Sequence, residues 1–255
     1  AAKAEPGKAQ GVQFTLEQAE AMQWEKVAEK MRQISLKRQE NIEKLKKLLE
    51  NVDYRKDASR APQVLTIPAG THWEEHLYQY LQARKTWETA MDQFDAGTLS
   101  EAPPEPTEDY SVALEYYRKI LREFPNYRRF DEVLYYLGKG AMKEGKAKKN
   151  KALQKEGVDY LNRLVKNYPQ SRWIANAHLA MAEYYFENNS LYYAKINYEK
   201  IINDFPNAQM INYARYKLAW VYFNLGEIEL ALKGFKQVVA AVTGGKGRGV
   251  IEFRN

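Results

Sequence analysis

The amino-acid sequence predicts an all-α protein, a solenoid of stacked helical hairpins, and three observations lead to this fold class. The first is a small residue that recurs at intervals of 44, 37 and 37 residues, at Ala113, Gly157, Ala194 and Ala231. The second is a proline that follows each of the first three by twelve residues. The third is an apolar stripe of helical spacing in front of each proline. A repeat of about 34 to 40 residues is typical of helical hairpins that stack side by side.

Each of these prolines is predicted to end a helix, because proline cannot continue the backbone hydrogen-bond ladder. An aromatic residue precedes each proline and an amide follows it, in Phe124-Pro125-Asn126, Tyr168-Pro169-Gln170 and Phe205-Pro206-Asn207. The apolar stripe stands eight, five and four residues before the proline, a spacing that places it on one helical face. Its members are Tyr117, Leu161 and Tyr198, then Ile120, Leu164 and Ile201, then Leu121, Val165 and Ile202.

A large residue next to a small one recurs after each proline, in Leu137-Gly138, Met181-Ala182 and Leu218-Ala219. This pattern predicts that the two helices of a hairpin approach closely. The fourth copy keeps Ala231 but has Gly244-Gly245 in place of a proline. In the first full copy an irregular, lysine-rich piece, residues 143–151, is predicted to lengthen the repeat by seven residues.

The front of the chain lacks the clear repeat. Thr15 with Gln18 three residues on predicts a helix start, and apolar spacing extends the helix to about residue 51. Its first half, 15–38, is predicted to be a cap or docking helix, and 40–53 a degenerate repeat helix with 72–95 as its partner. Residues 54–70 are predicted to be a loop, followed by a capping box at Thr71 and Glu74.

These patterns divide the chain into five predicted segments. They are a flexible N-terminus over 1–13, a long amphipathic helix plus a degenerate helical repeat over 14–96, a proline-rich linker over 97–108, the repeats over 109–242, and a glycine-rich basic tail over 243–255 that begins a further, truncated element.

Composition argues against an enzyme. The chain has no cysteine and three histidines, so disulfides and thiolate metal sites are excluded and nucleophilic triads have almost no material. We therefore expect no catalytic residues, no cofactor and no metal. No apolar run approaches the roughly 18 residues that a membrane span needs.

Three features suggest chemistry but have simpler interpretations. The string from His72 to His76 has the H-x-x-E-H form of a zinc peptidase, yet the predicted helix cap explains its first glutamate. His178 falls at the edge of the predicted core and is interpreted as a packing histidine. The sequence around Gly244-Gly245 lacks the Gly-Lys-Ser/Thr ending of a P-loop.

The net charge of +6 raises the question of an anionic partner. A basic patch is predicted at Lys143, Lys146, Lys148, Lys149 and Lys151. Because acidic residues are spread along the whole chain, we do not expect nucleic-acid binding. Binding to peptidoglycan or to a lipid surface stays open as an alternative function, with proximity to a membrane surface.

The repeat resembles the tetratricopeptide repeat, whose order of Leu-Gly, aromatic, Ala, aromatic and Pro it follows over roughly 108–242. The resemblance implies a right-handed superhelix with a concave groove that binds a segment of a partner protein. The implied groove residues are Tyr135, Lys139, Asn176, Leu179, Glu183, Tyr213, Tyr216 and Trp220, of which Tyr216 and Trp220 are the leading pair. The Phe-Pro-Asn turn is similar to the bacterial cell-envelope branch of these repeats. That branch implies a non-catalytic adaptor in a multi-protein complex of outer-membrane assembly, division or motility, in the periplasm or at the outer membrane.

Overall fold

The computed structural model describes residues 16–51 and 61–243, except the side chains of 16–25 and 242. Over these ranges the chain contains helices and no β-strand, which confirms the predicted all-α class. The helices of the described residues are α1 (Leu16–Asn51), α2 (Ala61–Asp95), α3 (Ser111–Glu123), α4 (Phe130–Ala147), α5 (Lys151–Asn167), α6 (Ile174–Glu187), α7 (Leu191–Asp204), α8 (Ile211–Asn224) and α9 (Ile228–Thr243). The chain divides into two compact units, Ala1–Val52 and Asp53–Asn255.

The first unit contains α1, a single helix of 36 residues. Its described extent agrees with the helix predicted up to about residue 51. An ion pair of 2.9 Å between Arg32 Nε and Glu29 Oε2, one turn apart on the exposed surface, stabilises the helix. The predicted cap at Thr15 lies outside the described residues. The docking role of 15–38 and the pairing of 40–53 with 72–95 stay predictions.

The second unit is a row of helical hairpins. Helices that follow one another in sequence pack in pairs, α2 with α3, α4 with α5, α6 with α7 and α8 with α9. Each pair then contacts the next through α3 and α4, α5 and α6, and α7 and α8. This order of contacts is that of a helical-repeat solenoid, in which each repeat touches only its neighbours. None of the described helices has the length and apolar character needed to cross a membrane.

The three proline turns have nearly the same backbone geometry. The aromatic residue before each proline ends the helix with φ/ψ of −134°/61°, −131°/59° and −131°/57°, at Phe124, Tyr168 and Phe205. Proline drives the preceding residue out of the helical region, which explains this agreement. In each case the next helix begins five residues after the proline, at Phe130, Ile174 and Ile211. The prediction that these prolines end helices is confirmed.

The hairpins α4–α5, α6–α7 and α8–α9 close through short turns that each contain one residue in the left-handed region. These residues are Lys149 (φ 51°), Asn189 (φ 55°) and Gly226 (φ 77°). Glycine adopts this conformation without the steric cost that a side chain brings, so Gly226 suits its turn best.

Small residues bring α4 and α5 into direct backbone contact, as the sequence predicts. A Cβ atom added to Gly138 would lie 2.5 Å from Leu161 Cδ2 and 2.9 Å from the Gly157 carbonyl oxygen. A Cβ atom added to Gly157 would lie 2.6 Å from the Gly138 carbonyl oxygen. The core of this hairpin therefore depends on the absence of side chains at both positions.

The lysine-rich piece, residues 143–151, was predicted to be irregular, and this prediction is wrong. Helix α4 continues through it to Ala147, and α5 begins at Lys151 after a three-residue turn. Asn150 caps α5, since its side chain accepts a hydrogen bond of 3.1 Å from the Leu153 backbone N–H. Lysine, glutamate and alanine are good helix formers, so the extra residues lengthen the two helices instead of forming a loop.

The predicted loop over 54–70 is wrong for its described part, because α2 begins at Ala61 and continues through Pro68. An internal proline costs a helix about 3 kcal/mol, but Ala61, Leu65 and Ala69 on the same helix are almost fully buried and offset this cost. The predicted cap at Thr71 is also wrong. Its hydroxyl donates to the Ile67 carbonyl one turn back, at 2.8 Å, which is the bond of a residue inside a helix.

The segment between α2 and α3 follows the surface of the unit without a helix over 97–108. Side-chain contacts hold it: the Thr98 hydroxyl donates to the Gln93 carbonyl at 2.8 Å, Trp87 Nε1 donates to the Pro103 carbonyl oxygen at 3.0 Å, and Lys143 forms an ion pair with Glu108. The middle of the segment is thus attached to α2, and the end of the segment is attached to α4.

Candidate protein-binding face

The residues predicted to line a groove all lie on the first helices of three successive hairpins. Tyr135 and Lys139 belong to α4, Asn176, Leu179 and Glu183 to α6, and Tyr213, Tyr216 and Trp220 to α8. Within each helix they are spaced by three, four or seven residues, which places them on one side of it. We call this surface the α4–α6–α8 face.

The α4 end of the face is largely filled by the protein itself. Tyr135 is only 5% exposed, and its ring stacks on Trp173, with the ring centroids 4.5 Å apart. Its hydroxyl hydrogen bonds with the Asn176 side chain, and burial raises the pKa of Tyr135 to about 12. A bound segment would therefore reach little of this ring. Sequence reasoning did not include Trp173, which stands just before the start of α6 and whose role no repeat position indicates.

Lys139 is held over two aromatic rings at the same end. Its Nζ lies 6.0 Å from the Trp73 ring centroid and 5.9 Å from that of Tyr135. An ammonium group at this distance is attracted to the ring face. The lysine thus places a positive charge between α2 and α4.

The middle of the face carries a polar link between α6 and α8. The Tyr213 hydroxyl donates a hydrogen bond of 2.6 Å to Glu183 Oε1. Burial, and then the neighbouring Glu183 carboxylate, raise the pKa of Tyr213 well above its usual range. Leu179 packs against the core formed by α6, α7 and α8. These contacts fix the two helices relative to each other and leave Glu183 as the negative group of the face.

The α8 end of the face is an aromatic cluster with exposed surface. Trp220 lies 6.2 Å from Tyr216, 5.6 Å from Phe223 and 5.3 Å from Phe235, between ring centroids and in edge-to-face orientation. Trp220 is 38% exposed and Phe223 is 49% exposed. We call these four residues the aromatic cluster. Sequence reasoning did not place Phe223 on the face, although it stands one turn after Trp220.

The predicted basic patch is largely paired. Lys143 forms an ion pair with Glu108, Lys146 with Glu187 at 2.9 Å, and Lys148 with Glu144. The remaining two lysines, Lys149 and Lys151, are exposed and have no ion pair with a described residue. The patch therefore carries less free positive charge than its composition suggests.

The zinc-like string does not assemble a metal site among the described residues. His72 and His76 stack on each other, with centroids 6.2 Å apart, and His72 stacks in turn on Tyr116. The Glu75 side chain is buried and accepts a hydrogen bond of 3.1 Å from Gln79. Over the described ranges no three ligand-type side chains come together for a metal ion.

His178 contacts the core as the sequence predicts. Its Nδ1 lies 2.8 Å from Asn197 Oδ1, which accepts the hydrogen bond, while the Asn197 amide donates to the Tyr193 carbonyl at 2.9 Å. Burial lowers the pKa of His178, so the neutral ring is favoured.

The hairpin row and its exposed aromatic cluster define a helical-repeat protein. A more specific assignment comes from the sequence between α4 and the end of α9. Residues 139–244 match the family model of the tetratricopeptide repeat-like domain, so the chain contains such a domain over this range. A search of curated proteins found no match to the chain.

Proposed function

We propose that the chain is a non-catalytic scaffold that binds a segment of a partner protein on its α4–α6–α8 face. The tetratricopeptide repeat-like domain supports a role in protein–protein interaction. The observation that carries the proposal further is the aromatic cluster, because Trp220 and Phe223 expose large apolar rings beside the polar pair of Glu183 and Tyr213.

Exposed aromatic rings favour binding for a physical reason. They bury a large apolar area and lose few rotamers when they do so, and tryptophan and tyrosine are accordingly enriched among the residues that dominate binding energy. Glu183 adds a charged acceptor for a backbone or side-chain donor of the partner. An extended peptide or a helix with apolar side chains facing the cluster fits this combination.

A pull-down with the double variant Tyr216→Ala/Trp220→Ala tests the proposal. The wild-type chain is expected to retain a partner at about 0.5 M salt, where exposed charge pairs are screened, and the variant is expected to lose it. The matched control is Tyr192→Ala/Tyr193→Ala, which removes two exposed aromatics from α7, outside the face. A partner retained by the first variant, or lost equally from both, would contradict binding at the face.

We further propose that this partner belongs to a multi-protein complex of the bacterial cell envelope, and that the chain acts in the periplasm or at the outer membrane. The support is the Phe-Pro-Asn form of the turn at Phe124 and Phe205 and its resemblance to the envelope branch of these repeats. Fractionation of the producing cells tests it, since an envelope protein must be found in the periplasmic or membrane fraction. Recovery in the cytoplasmic fraction alone would refute it.

The alternative function, binding to peptidoglycan or a lipid surface through the lysine-rich segment, makes the opposite prediction about salt. Binding led by Lys149 and Lys151 must weaken strongly between low salt and 0.5 M salt, because the Debye length at 0.5 M is only about 4 Å. The pairing of Lys143, Lys146 and Lys148 with glutamates argues against this alternative. Sedimentation with anionic vesicles and with isolated peptidoglycan would detect it.

A further inference from the structure

The outer face of α9 exposes apolar side chains at repeat positions that the earlier hairpins bury. Leu232 is 54% exposed, whereas Val158, at the same position of α5, is 5% exposed. Val239 is 60% exposed, whereas its equivalents Val165 and Ile202 pack against hydrophobic cores. Among the described residues, nothing covers α9 in the way that these earlier positions are covered.

The preceding hairpin shows what kind of element covers this face. On α7, Lys195 stands at the position of Leu232 and Glu199 at that of Lys236, and both contact Tyr222 of α8. The Lys195 ammonium lies 5.0 Å from the Tyr222 ring centroid, and the Tyr222 hydroxyl donates to Glu199 Oε1 at 3.0 Å. A helix laid along the second helix of the hairpin therefore fits this face in the repeat geometry.

The charges of α9 differ from those of α7 at the same face. Lys236 stands where α7 has Glu199, and Lys233 where α7 has Ile196. Both lysines are exposed, and neither forms an ion pair with a described residue. A surface depression along the helix is lined by Glu229, Leu232, Lys233, Lys236, Gln237 and Ala240. Leu232 and Val239 are thus accompanied by two lysines without an ion pair and by one glutamate, Glu229. This excess of positive charge favours an occupant with carboxylates.

We propose that the outer face of α9, formed by Leu232, Lys233, Lys236 and Val239, binds an amphipathic helix of a partner protein whose apolar stripe is flanked by carboxylates. The helix lies where the first helix of a further hairpin would lie. Its carboxylates pair with Lys233 and Lys236, and its apolar side chains cover Leu232 and Val239. This surface goes beyond the proposed function, because it does not use the first helices of the hairpins.

Two helix-forming peptides of about 18 residues, long enough for some five turns, serve as probes. Both carry leucines at positions i, i+3, i+4 and i+7; one has glutamates beside this stripe and the other has lysines. Binding is measured by fluorescence anisotropy for the 255-residue chain and for Lys233→Glu/Lys236→Glu. We expect the wild-type chain to bind the glutamate peptide about tenfold more tightly than the lysine peptide, and the variant to reverse this preference.

Two further variants locate the effect. Leu232→Asp/Val239→Asp is expected to abolish binding of the glutamate peptide, since it places charges in the apolar stripe. Lys155→Glu/Lys166→Glu makes the same change of charge on exposed positions of α5 and is expected to leave binding unchanged. Equal effects of the α5 and α9 charge reversals would overturn the proposal, because they would show attraction to net charge alone.

Other outcomes assign the face to a different occupant and likewise overturn the proposal. A dimer in sedimentation velocity that Leu232→Asp/Val239→Asp dissociates would mean that a second copy covers it. If the full chain binds neither peptide, but a chain ending at Thr243 binds the glutamate peptide, residues 244–255 cover the face. The Lys233→Glu/Lys236→Glu chain is expected to keep the partner bound through Trp220, so failure here is distinct from failure of the proposed function.

Discussion

Replacing Gly157 by alanine tests the close approach of α4 and α5. The new Cβ atom would lie 2.5 Å from Met142 Cγ, 2.6 Å from the Gly138 carbonyl oxygen and 2.8 Å from the Met142 backbone nitrogen. Two of these atoms belong to the backbone of α4, so the helices must move apart. Overpacking of a core costs about 1–3 kcal/mol, and the better helix propensity of alanine returns about 1 kcal/mol. Because backbone atoms cannot yield as the end of a side chain can, we take the upper half of the overpacking range, about 2–3 kcal/mol, and expect a net loss of about 1–2 kcal/mol.

The control for this substitution is Gly70→Ala in α2. Gly70 also lies inside a helix, but a Cβ atom there meets nothing within 4 Å. With no steric cost, only the propensity gain remains, and we expect this variant to be about 0.5–1 kcal/mol more stable than the wild type. The two glycine-to-alanine changes should therefore have opposite signs.

Urea unfolding followed by far-UV circular dichroism measures both variants. Because the same surface is exposed on unfolding, the slope of the unfolding free energy against urea should stay constant and the midpoints should shift in opposite directions. If Gly157→Ala is as stable as the wild type or more stable, the backbone contact between α4 and α5 is not what requires glycine at this position. If both variants gain stability equally, the propensity of alanine alone accounts for the data.

Three further predictions follow from buried polar groups. Tyr213→Phe removes the hydrogen bond to Glu183 and is expected to cost about 1 kcal/mol of unfolding free energy in the same assay; a neutral effect would mean that water replaces the bond. Burial raises the pKa of Tyr135 to about 12, so the folded state retains its proton where the unfolded chain loses it. Stability must then fall as the pH rises from about 10, and less steeply in Tyr135→Phe when urea midpoints are compared at pH 9 and 11. Burial lowers the pKa of His178, so the neutral ring stabilises the folded state above about pH 6.5, and this stabilisation is lost on acidification. The urea midpoint should therefore change less between pH 7.5 and 5 in His178→Gln than in the wild type. An equal change in both proteins would contradict this.

The repeat could be predicted from the sequence because apolar residues recur at the positions that are buried in each hairpin. Residues at one offset from the proline occupy the same place in each hairpin, and Ile120, Leu164 and Ile201 are all fully buried. The prolines added a stop signal that acts through local sterics alone. The proline turns and the repeated core positions beside them were therefore predicted correctly.

The start of α2 could not be predicted in this way, because its local signals oppose its tertiary environment. Pro68, Gly70 and Thr71 each favour a break or a start of a helix when they are read alone. The burial of Leu65 and Ala69 outweighs them, and no repeat copy upstream was clear enough to reveal that these residues belong to a packed helix.

The candidate site shows the same limit at the level of single side chains. Tyr135 and Tyr216 occupy the same repeat position, so the sequence gives them the same role. Trp173, in the turn before the following hairpin, stacks on Tyr135 and buries it. Tyr216 contacts Trp220 and Phe235 instead, at the edge of the described repeats. Which member of a repeated set is available to a partner depends on what the next hairpin contributes, and this is not encoded at the position itself.

The lysine-rich segment illustrates why charge composition is a weak guide to binding in this chain. Three of its lysines pair with carboxylates: Glu108 comes from the connection before α3, Glu187 from α6, and Glu144 from the segment itself. Each ion pair neutralises a lysine that would be counted as a free positive charge from composition alone. Lys233 and Lys236 of α9 form no such ion pair with a described residue, although Glu229 lines the same depression. A surface that attracts an acidic partner is therefore better sought where positive charge is unpaired and borders exposed apolar side chains than where lysines are most numerous.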